Sequence, residues 1–138
     1  MKGSPGFYRR VLPALLYMLG IFVGGSLPQG IDTGLEFSYQ DKVLHLLVFG
    51  GLVVLVDRAL SALLPTRRQS TRLWLAIAIT WAVGGLLELW QAHLPTRSAE
   101  LGDWLADALG ALLAAVVVWR MGGEGWPAEP AQAPASKR

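Results

Sequence analysis

Four apolar stretches, separated by short polar segments, make up most of the chain. They cover about 11–27, 43–64, 73–90 and 104–119. Each is close to the roughly 20 residues that a helix rising about 1.5 Å per residue needs to cross a hydrocarbon core of about 30 Å. None alternates apolar and polar residues as membrane β-strands do. The pattern predicts an all-α membrane protein with four transmembrane helices in a compact bundle.

The composition supports this class and indicates one domain. Of 138 residues, 53% are hydrophobic and 16% are charged, whereas soluble domains average roughly 25% charged residues. There is no cysteine, which excludes disulfides and thiolate chemistry. We expect a four-helix domain over 1–120. The tail over 121–138 is rich in proline, alanine and glycine and is predicted to be disordered.

The first apolar stretch has a second interpretation as a signal peptide, because basic residues at positions 2, 9 and 10 precede it. It is long for the apolar part of a signal peptide, and it contains Pro13. It also lacks an Ala-x-Ala cleavage site, for which the Gly-Gly-Ser at 24–26 is a weak substitute. We therefore expect a retained helix. A mature protein beginning after residue 26 would contradict this.

Lysine and arginine are distributed very unevenly among the polar segments. Basic segments of membrane proteins lie in the cytoplasm, and an even number of helices puts both termini on one side. The cytoplasmic side would then hold Lys2, Arg9, Arg10, Arg58, Arg67, Arg68, Arg72, Arg120, Lys137 and Arg138. The other two loops hold only Lys42 and Arg97. We expect cytoplasmic termini, and the basic pI of about 9.3 reflects segments near anionic lipid rather than a nucleic-acid partner.

Small residues mark the faces through which the helices are expected to pack, because they let backbones approach closely in a membrane. The small residues in question are Gly20 and Gly24 in the first helix, Gly50-Gly51 and Gly84-Gly85 in the middle two, and Ala106, Gly110 and Ala114 in the last. Polar residues continue these faces at the ends of the helices that lie outside the cell in this topology. The polar pocket predicted from them contains Asp41, Lys42, His45, Glu88, Gln91, Arg97, Asp103 and Asp107.

Helical spacing places several of these side chains on shared faces, since residues three or four positions apart are neighbours on a helix. Glu88, Asp107 and His45 lie inside apolar stretches, where an ionised group is costly unless it is paired or hydrated. For these three residues we favour a functional site over a purely structural hydrogen-bond network.

Other polar residues have simpler interpretations. Asp103 resembles an N-cap of the fourth helix, with its charge stabilised by the helix dipole. Lys42, at a helix start, could face water or lipid headgroups. His93 and Glu100 are interpreted as ordinary loop residues.

Three motifs together resemble the VanZ-like family of small bacterial membrane proteins: Asp41-Lys42-x-x-His45, Glu88-x-x-Gln91-x-x-x-Pro95-x-Arg97 and Asp103-x-x-x-Asp107-x-x-Gly110. The resemblance covers the first to the fourth helix and implies a protein of the bacterial cytoplasmic (inner) membrane. The family is named after a protein that lowers susceptibility to the glycopeptide teicoplanin. Members often carry asparagine in place of Asp107 and an aromatic residue in place of Leu46, which favours a hydrogen-bonding role over a general base at position 107.

A binding protein of the cell envelope is the preferred functional hypothesis. Its outward pocket would engage membrane lipids or a lipid-linked cell-wall precursor. Arg97 and Lys42 would hold phosphate or carboxylate, Arg97 by a bidentate fork and Lys42 as a point charge. No cofactor is expected.

The alternative is a membrane-embedded enzyme acting on a lipid headgroup. His45 or Glu88 would be the general base and Arg97 would stabilise developing negative charge. A variant adds Mg²⁺ or Mn²⁺, which oxygen-rich sites favour, held by Glu88, Asp103, Asp107 and His45. Because no motif is a recognised metal or nucleophile signature, we assign no metal site.

Two further hypotheses rank lower. Ion transport would need acidic groups across the membrane, but away from the outer cluster the helices hold only Asp57, which we interpret with Arg58 as structural. The polar cluster could also serve only to rigidify the bundle.

Overall fold

The computed structural model describes residues 5–28 and 40–122, and these residues form four α-helices joined by turns and loops. The helices are α1 (Pro5–Gly25), α2 (Gln40–Leu63), α3 (Gln69–Gln91) and α4 (Leu101–Gly122). The prediction of an all-α fold with four helices is confirmed for residues 5–28 and 40–122. The predicted disorder of the tail falls on 123–138, which lie outside the described residues, whereas 121–122 belong to α4.

Each helix begins before the start that its apolar stretch predicts. The observed starts are 5, 40, 69 and 101, against predicted starts of 11, 43, 73 and 104. The predicted bounds mark where apolar side chains end, but polar and charged residues do not end a helix. Backbone hydrogen bonding continues through Arg9 and Arg10 in α1 and through Asp103 in α4.

All four helices are long and apolar enough to cross a membrane, and the described chain therefore has the character of a multi-pass membrane protein. Large apolar side chains cover its outer surface, among them Leu15, Leu16 and Leu19 of α1 and Leu105 and Leu109 of α4. A contiguous apolar exterior of this kind is rare on soluble monomers and suits contact with lipid.

The α2 helix lies at the centre of the bundle and packs against the other three helices. Its Phe49, Leu52 and Val53 are fully buried and form a core with Ala76 of α3 and Ala111 of α4. By contrast, α1 packs mainly on α2 and touches α3 only slightly. The first helix is therefore the most peripheral element of the described bundle.

Small residues set the closest helix contacts. A Cβ atom at Gly50 of α2 would lie 3.3 Å from the carbonyl oxygen of Gly110 and 3.6 Å from Cβ of Ala114, both in α4. A Cβ at Gly51 would meet the Tyr17 hydroxyl of α1 at 2.9 Å. The expectation for Gly20 is wrong, because nothing lies within 4 Å of a Cβ built there. The first helix turns that glycine outwards.

The second helix also carries Asp57, which is buried against α3. Its Oδ1 lies 3.6 Å from Nε of Arg72. Arg72 offsets the burial of this carboxylate, as an opposite charge must in an apolar environment. The ion pair with Arg72 is consistent with a structural role for Asp57. Arg58, the next residue in the chain, is exposed.

Candidate functional site

Polar side chains gather at one end of the bundle, where α1 and α3 end and α2 and α4 begin. We call this the polar end. Asp41, Lys42 and His45 lie in the first turns of α2, and Glu88 and Gln91 lie at the end of α3. Five of the eight residues predicted for the pocket are buried: His45, Glu88, Gln91, Asp103 and Asp107. The structure thus brings residues of α2, α3 and α4 together at this end.

A buried histidine–aspartate pair links α2 to α4 at this end. Nδ1 of His45 lies 2.8 Å from Oδ1 of Asp107, which is completely buried. A carboxylate only accepts hydrogen bonds, so Nδ1 carries the proton when Asp107 is ionised. Gly84 makes room for this carboxylate, because a Cβ there would lie 2.6 Å from Oδ2 of Asp107. That oxygen has no hydrogen-bond partner among the described residues.

Lys42 binds two carboxylates of the loop and helix that follow α3. Its Nζ lies 2.8 Å from Oδ1 of Asp103 and 3.3 Å from Oε2 of Glu100. The N-cap interpretation of Asp103 is wrong, because α4 begins earlier, at Leu101. Asp103 lies instead inside the first turn of α4, and its side chain forms an ion pair with Lys42. Lys42 is consequently less available to hold an anionic ligand than the sequence suggested.

Glu88 joins α3 to the start of α4. Its Oε2 accepts a 2.8 Å hydrogen bond from the backbone N–H of Glu100. Its Oε1 is buried and has no hydrogen-bond partner among the described residues. Such an oxygen is unusual, because nearly all buried polar atoms in proteins find a donor or a water. Glu88 therefore retains accepting capacity that the described chain does not use.

Gln91 has a structural role in addition to its place near the pocket. Its Nε2 donates a 3.0 Å hydrogen bond to the carbonyl oxygen of Gly25 at the end of α1. Trp90 makes a neighbouring link, since its Nε1 donates to Oγ of Ser26 at 2.9 Å. These two bonds fix the end of α1 against α3, which places α1 as one wall of the polar end.

A small cavity of about 60 Å³ opens at the polar end between α1, α2 and α3. Asp41, His45, Gln91 and Arg97 contribute its polar lining. Arg97 comes from the loop at 92–100 and forms no ion pair with any described residue. Its Nε is buried without a hydrogen-bond partner in the same set. The cavity thus presents a guanidinium group that no other described residue engages by an ion pair.

Three side chains are close enough to share a cation. Asp41, His45 and Asp103 each offer one donor atom, and these atoms lie within 4.8 Å of one another. This set differs from the metal variant considered from the sequence, because Asp41 takes the place of Glu88 and Asp107. Asp107 instead contacts Nδ1 of His45, which leaves Nε2 for a metal ion. Carboxylates commonly orient ligating histidines in this way.

Negative charge predominates at the polar end of the described structure. The carboxylates are those of Asp41, Glu88, Glu100, Asp103 and Asp107, and the permanently charged cations are Lys42 and Arg97. An excess of carboxylates in a low-dielectric environment favours a bound cation or a donor-rich ligand.

Sequence reasoning overlooked Glu100, which was interpreted as an ordinary loop residue. Its carboxylate contacts Lys42 and its backbone N–H contacts Glu88. No periodic pattern identifies such a residue, because it precedes α4 in a loop. The other loop residue, His93, makes a contact within its own segment. Its Nδ1 lies 2.7 Å from the carbonyl oxygen of Leu89, one turn earlier.

Comparison with known proteins adds no assignment to this geometry. The chain matched no family model, no curated protein and no solved structure. The geometry of the polar end is therefore the structural basis for a proposal of function.

Proposed function

We propose that this chain is a VanZ-like protein of the bacterial cytoplasmic membrane that binds a lipid-linked cell-wall precursor or a lipid headgroup at its polar end. In this proposal the polar end faces outwards, both termini lie in the cytoplasm, and the phosphate of the ligand is held by Arg97. The positive-inside distribution of Lys and Arg supports the orientation. The resemblance extends the proposal to altered susceptibility to glycopeptide antibiotics.

The guanidinium of Arg97, which forms no ion pair with any residue that the structure describes, carries this proposal. Arginine binds phosphate through two parallel N–H donors, and such charge-assisted bonds are stronger than neutral ones. Arg97 lines the small cavity together with Asp41 and His45, so a phosphate there would meet the guanidinium. His45 would also donate to the phosphate only when its imidazole is protonated on both nitrogens, because Nδ1 already faces Asp107. Lys42 would contribute less than Arg97, because Asp103 and Glu100 already engage it.

Substitution of Arg97 by alanine should weaken binding of a polyprenyl phosphate by roughly ten- to a hundredfold, the usual effect of losing a hydrogen bond to a charged group. The purified protein in nanodiscs would be titrated with the labelled polyprenyl phosphate. Arg97→Lys should recover only part of the affinity for the phosphate, since an ammonium group lacks the two parallel N–H donors of a guanidinium.

The matched control is Arg120→Ala, which removes an exposed arginine from the last turn of α4, at the opposite end of the bundle. Binding by this variant should equal that of the unmodified chain. Equal affinities of the Arg97→Ala and Arg120→Ala proteins, with unchanged melting temperatures, would rule out Arg97 as the phosphate ligand.

A second candidate function is a metal-dependent enzyme acting on a lipid headgroup, favoured by the Asp41, His45 and Asp103 donor set. Two carboxylates and one imidazole suit Mn²⁺ or Mg²⁺. Binding of Mn²⁺ to the purified protein, followed by electron paramagnetic resonance, should be lost in His45→Ala and Asp103→Asn. It should persist in Glu100→Gln, which removes a nearby carboxylate outside the donor set. An equal loss in all three variants would indicate nonspecific attraction to negative charge.

A further inference from the structure

A second recess lies on the outer side of the α3–α4 pair, away from the small cavity. It has a volume of about 900 Å³, within the roughly 300–1,000 Å³ that small-molecule sites span. Its lining is almost entirely apolar and includes Ala82, Gly85 and Leu89 of α3. We call it the α3–α4 groove. A recess of this kind between two membrane-crossing helices is open to the acyl chains of the surrounding lipid.

Two stacked tryptophans form one wall of the α3–α4 groove. The rings of Trp81 and Trp104 lie 5.1 Å apart with an angle of 13° between their planes. Nε1 of Trp104 donates a 3.3 Å hydrogen bond to the carbonyl oxygen of Trp81, which ties α4 to α3. Gly85 lies beside these rings, since a Cβ there would be in van der Waals contact with Nε1 of Trp104 at 3.4 Å. The groove is therefore walled by rigid aromatic rings and floored by glycine and alanine.

The charged residues that line the described groove are both acidic. They are Glu88 and Glu100. Glu88 is 8% exposed, and its Oε1 has no donor among the described residues. A buried carboxylate in a membrane is stabilised by a partner that donates hydrogen bonds or carries positive charge. An anionic headgroup at this position would meet like charge.

We propose that the α3–α4 groove binds a membrane lipid whose headgroup ends in a primary ammonium, which donates hydrogen bonds to the carboxylate of Glu88, one of the two acidic groups that line the groove. The acyl chains then lie along Ala82, Gly85 and Leu89, and the three N–H donors of the ammonium are available to a carboxylate. This site uses Glu88 and a surface outside the Arg97 cavity. It goes beyond the function proposed above and does not depend on it.

The test compares retention of phosphatidylethanolamine and phosphatidylcholine with identical acyl chains by native mass spectrometry of the full chain. The two headgroups carry the same charges, but trimethylation removes the N–H donors of the second. The unmodified protein should retain the ethanolamine lipid roughly tenfold better, as expected for a hydrogen bond between charged groups. Glu88→Gln should reduce this preference to near equality.

A groove-filling variant provides an independent control on folding and location. Gly85→Phe should lower retention of both lipids, because the new ring occupies the groove. Gly20→Phe places the same ring on an open face of α1, with nothing within 4 Å of its Cβ, and should change neither. Equal retention of the two lipids by the unmodified protein, or a preference that survives Glu88→Gln, overturns the proposal. Equal effects of Gly85→Phe and Gly20→Phe also overturn it, since they indicate only general annular lipid.

Loss of the ethanolamine preference and loss of polyprenyl phosphate binding are separable results. The first follows Glu88→Gln and the second follows Arg97→Ala. A protein that binds the phosphate normally but shows no headgroup preference contradicts the groove site alone. The reverse pattern contradicts the function proposed for the Arg97 cavity alone.

Discussion

Replacing Gly110 with alanine is expected to destabilise the bundle severely, because a methyl group there would collide with the backbone carbonyl of Leu46. A long side chain could rotate away from such a clash, but the hydrogen-bonded backbone of α2 at Leu46 cannot. The two helices would have to separate, which also removes the contact of Gly50 with α4. Overpacking of a core costs about 1–3 kcal/mol, and a clash with main chain should reach or exceed the upper value.

The matched control for this substitution is Gly20→Ala, which adds the same methyl group to a face of α1 with nothing within 4 Å. Unfolding in mixed micelles, followed by circular dichroism, gives the free energies of unfolding of both variants. Gly20→Ala should leave the free energy nearly unchanged. A Gly110→Ala protein as stable as the Gly20→Ala protein would show that α2 and α4 are not in contact at this position.

Replacing Asp107 with alanine is expected to lower the free energy of unfolding by about 3–5 kcal/mol, as when one member of a buried pair is removed. His45 would lose its partner and remain 8% exposed, with its Nδ1 donor unsatisfied. The substitution would also leave a cavity beside Gly84, whose position without a side chain accommodates the carboxylate. The unsatisfied donor and the cavity both lower the free energy of unfolding.

Asp107→Asn separates hydrogen bonding from charge at this position. The asparagine carbonyl still accepts a bond from Nδ1 of His45, so its loss of stability should be clearly smaller than that of Asp107→Ala. A double-mutant cycle with His45→Ala then measures the coupling, which should fall in the range of about 0.5–3 kcal/mol found for contacting residues. Additive effects of the two alanine substitutions would contradict a direct interaction.

The number of helices and the location of the polar end were predictable from the sequence, because both follow from where apolar residues stop. Spacing of four residues also predicted correctly that Asp41 and His45 would lie on one face of α2. That prediction needs only the geometry of a single helix. It requires no knowledge of neighbouring helices.

The pairing of side chains between helices was not predictable, because it depends on how each helix is rotated about its axis. Nothing in the sequence selects Asp103 and Glu100 as the partners of Lys42, or directs Gln91 to the carbonyl oxygen of Gly25. The same limit explains the wrong expectation for Gly20. A small-xxx-small pattern marks a face on which a neighbour could pack, but not whether a neighbour is there.

The central position of α2 has a consequence for the biosynthesis of the protein. Three charged or titratable side chains of this helix have partners that lie later in the chain: Arg72 for Asp57, Asp103 for Lys42 and Asp107 for His45. His45 precedes Asp107 by 62 residues, a delay of roughly 3–12 s at translation rates of 5–20 residues per second. These polar side chains of the second helix are therefore synthesised before the residues that pair with them. The polar end is complete only once the last helix has packed against the second.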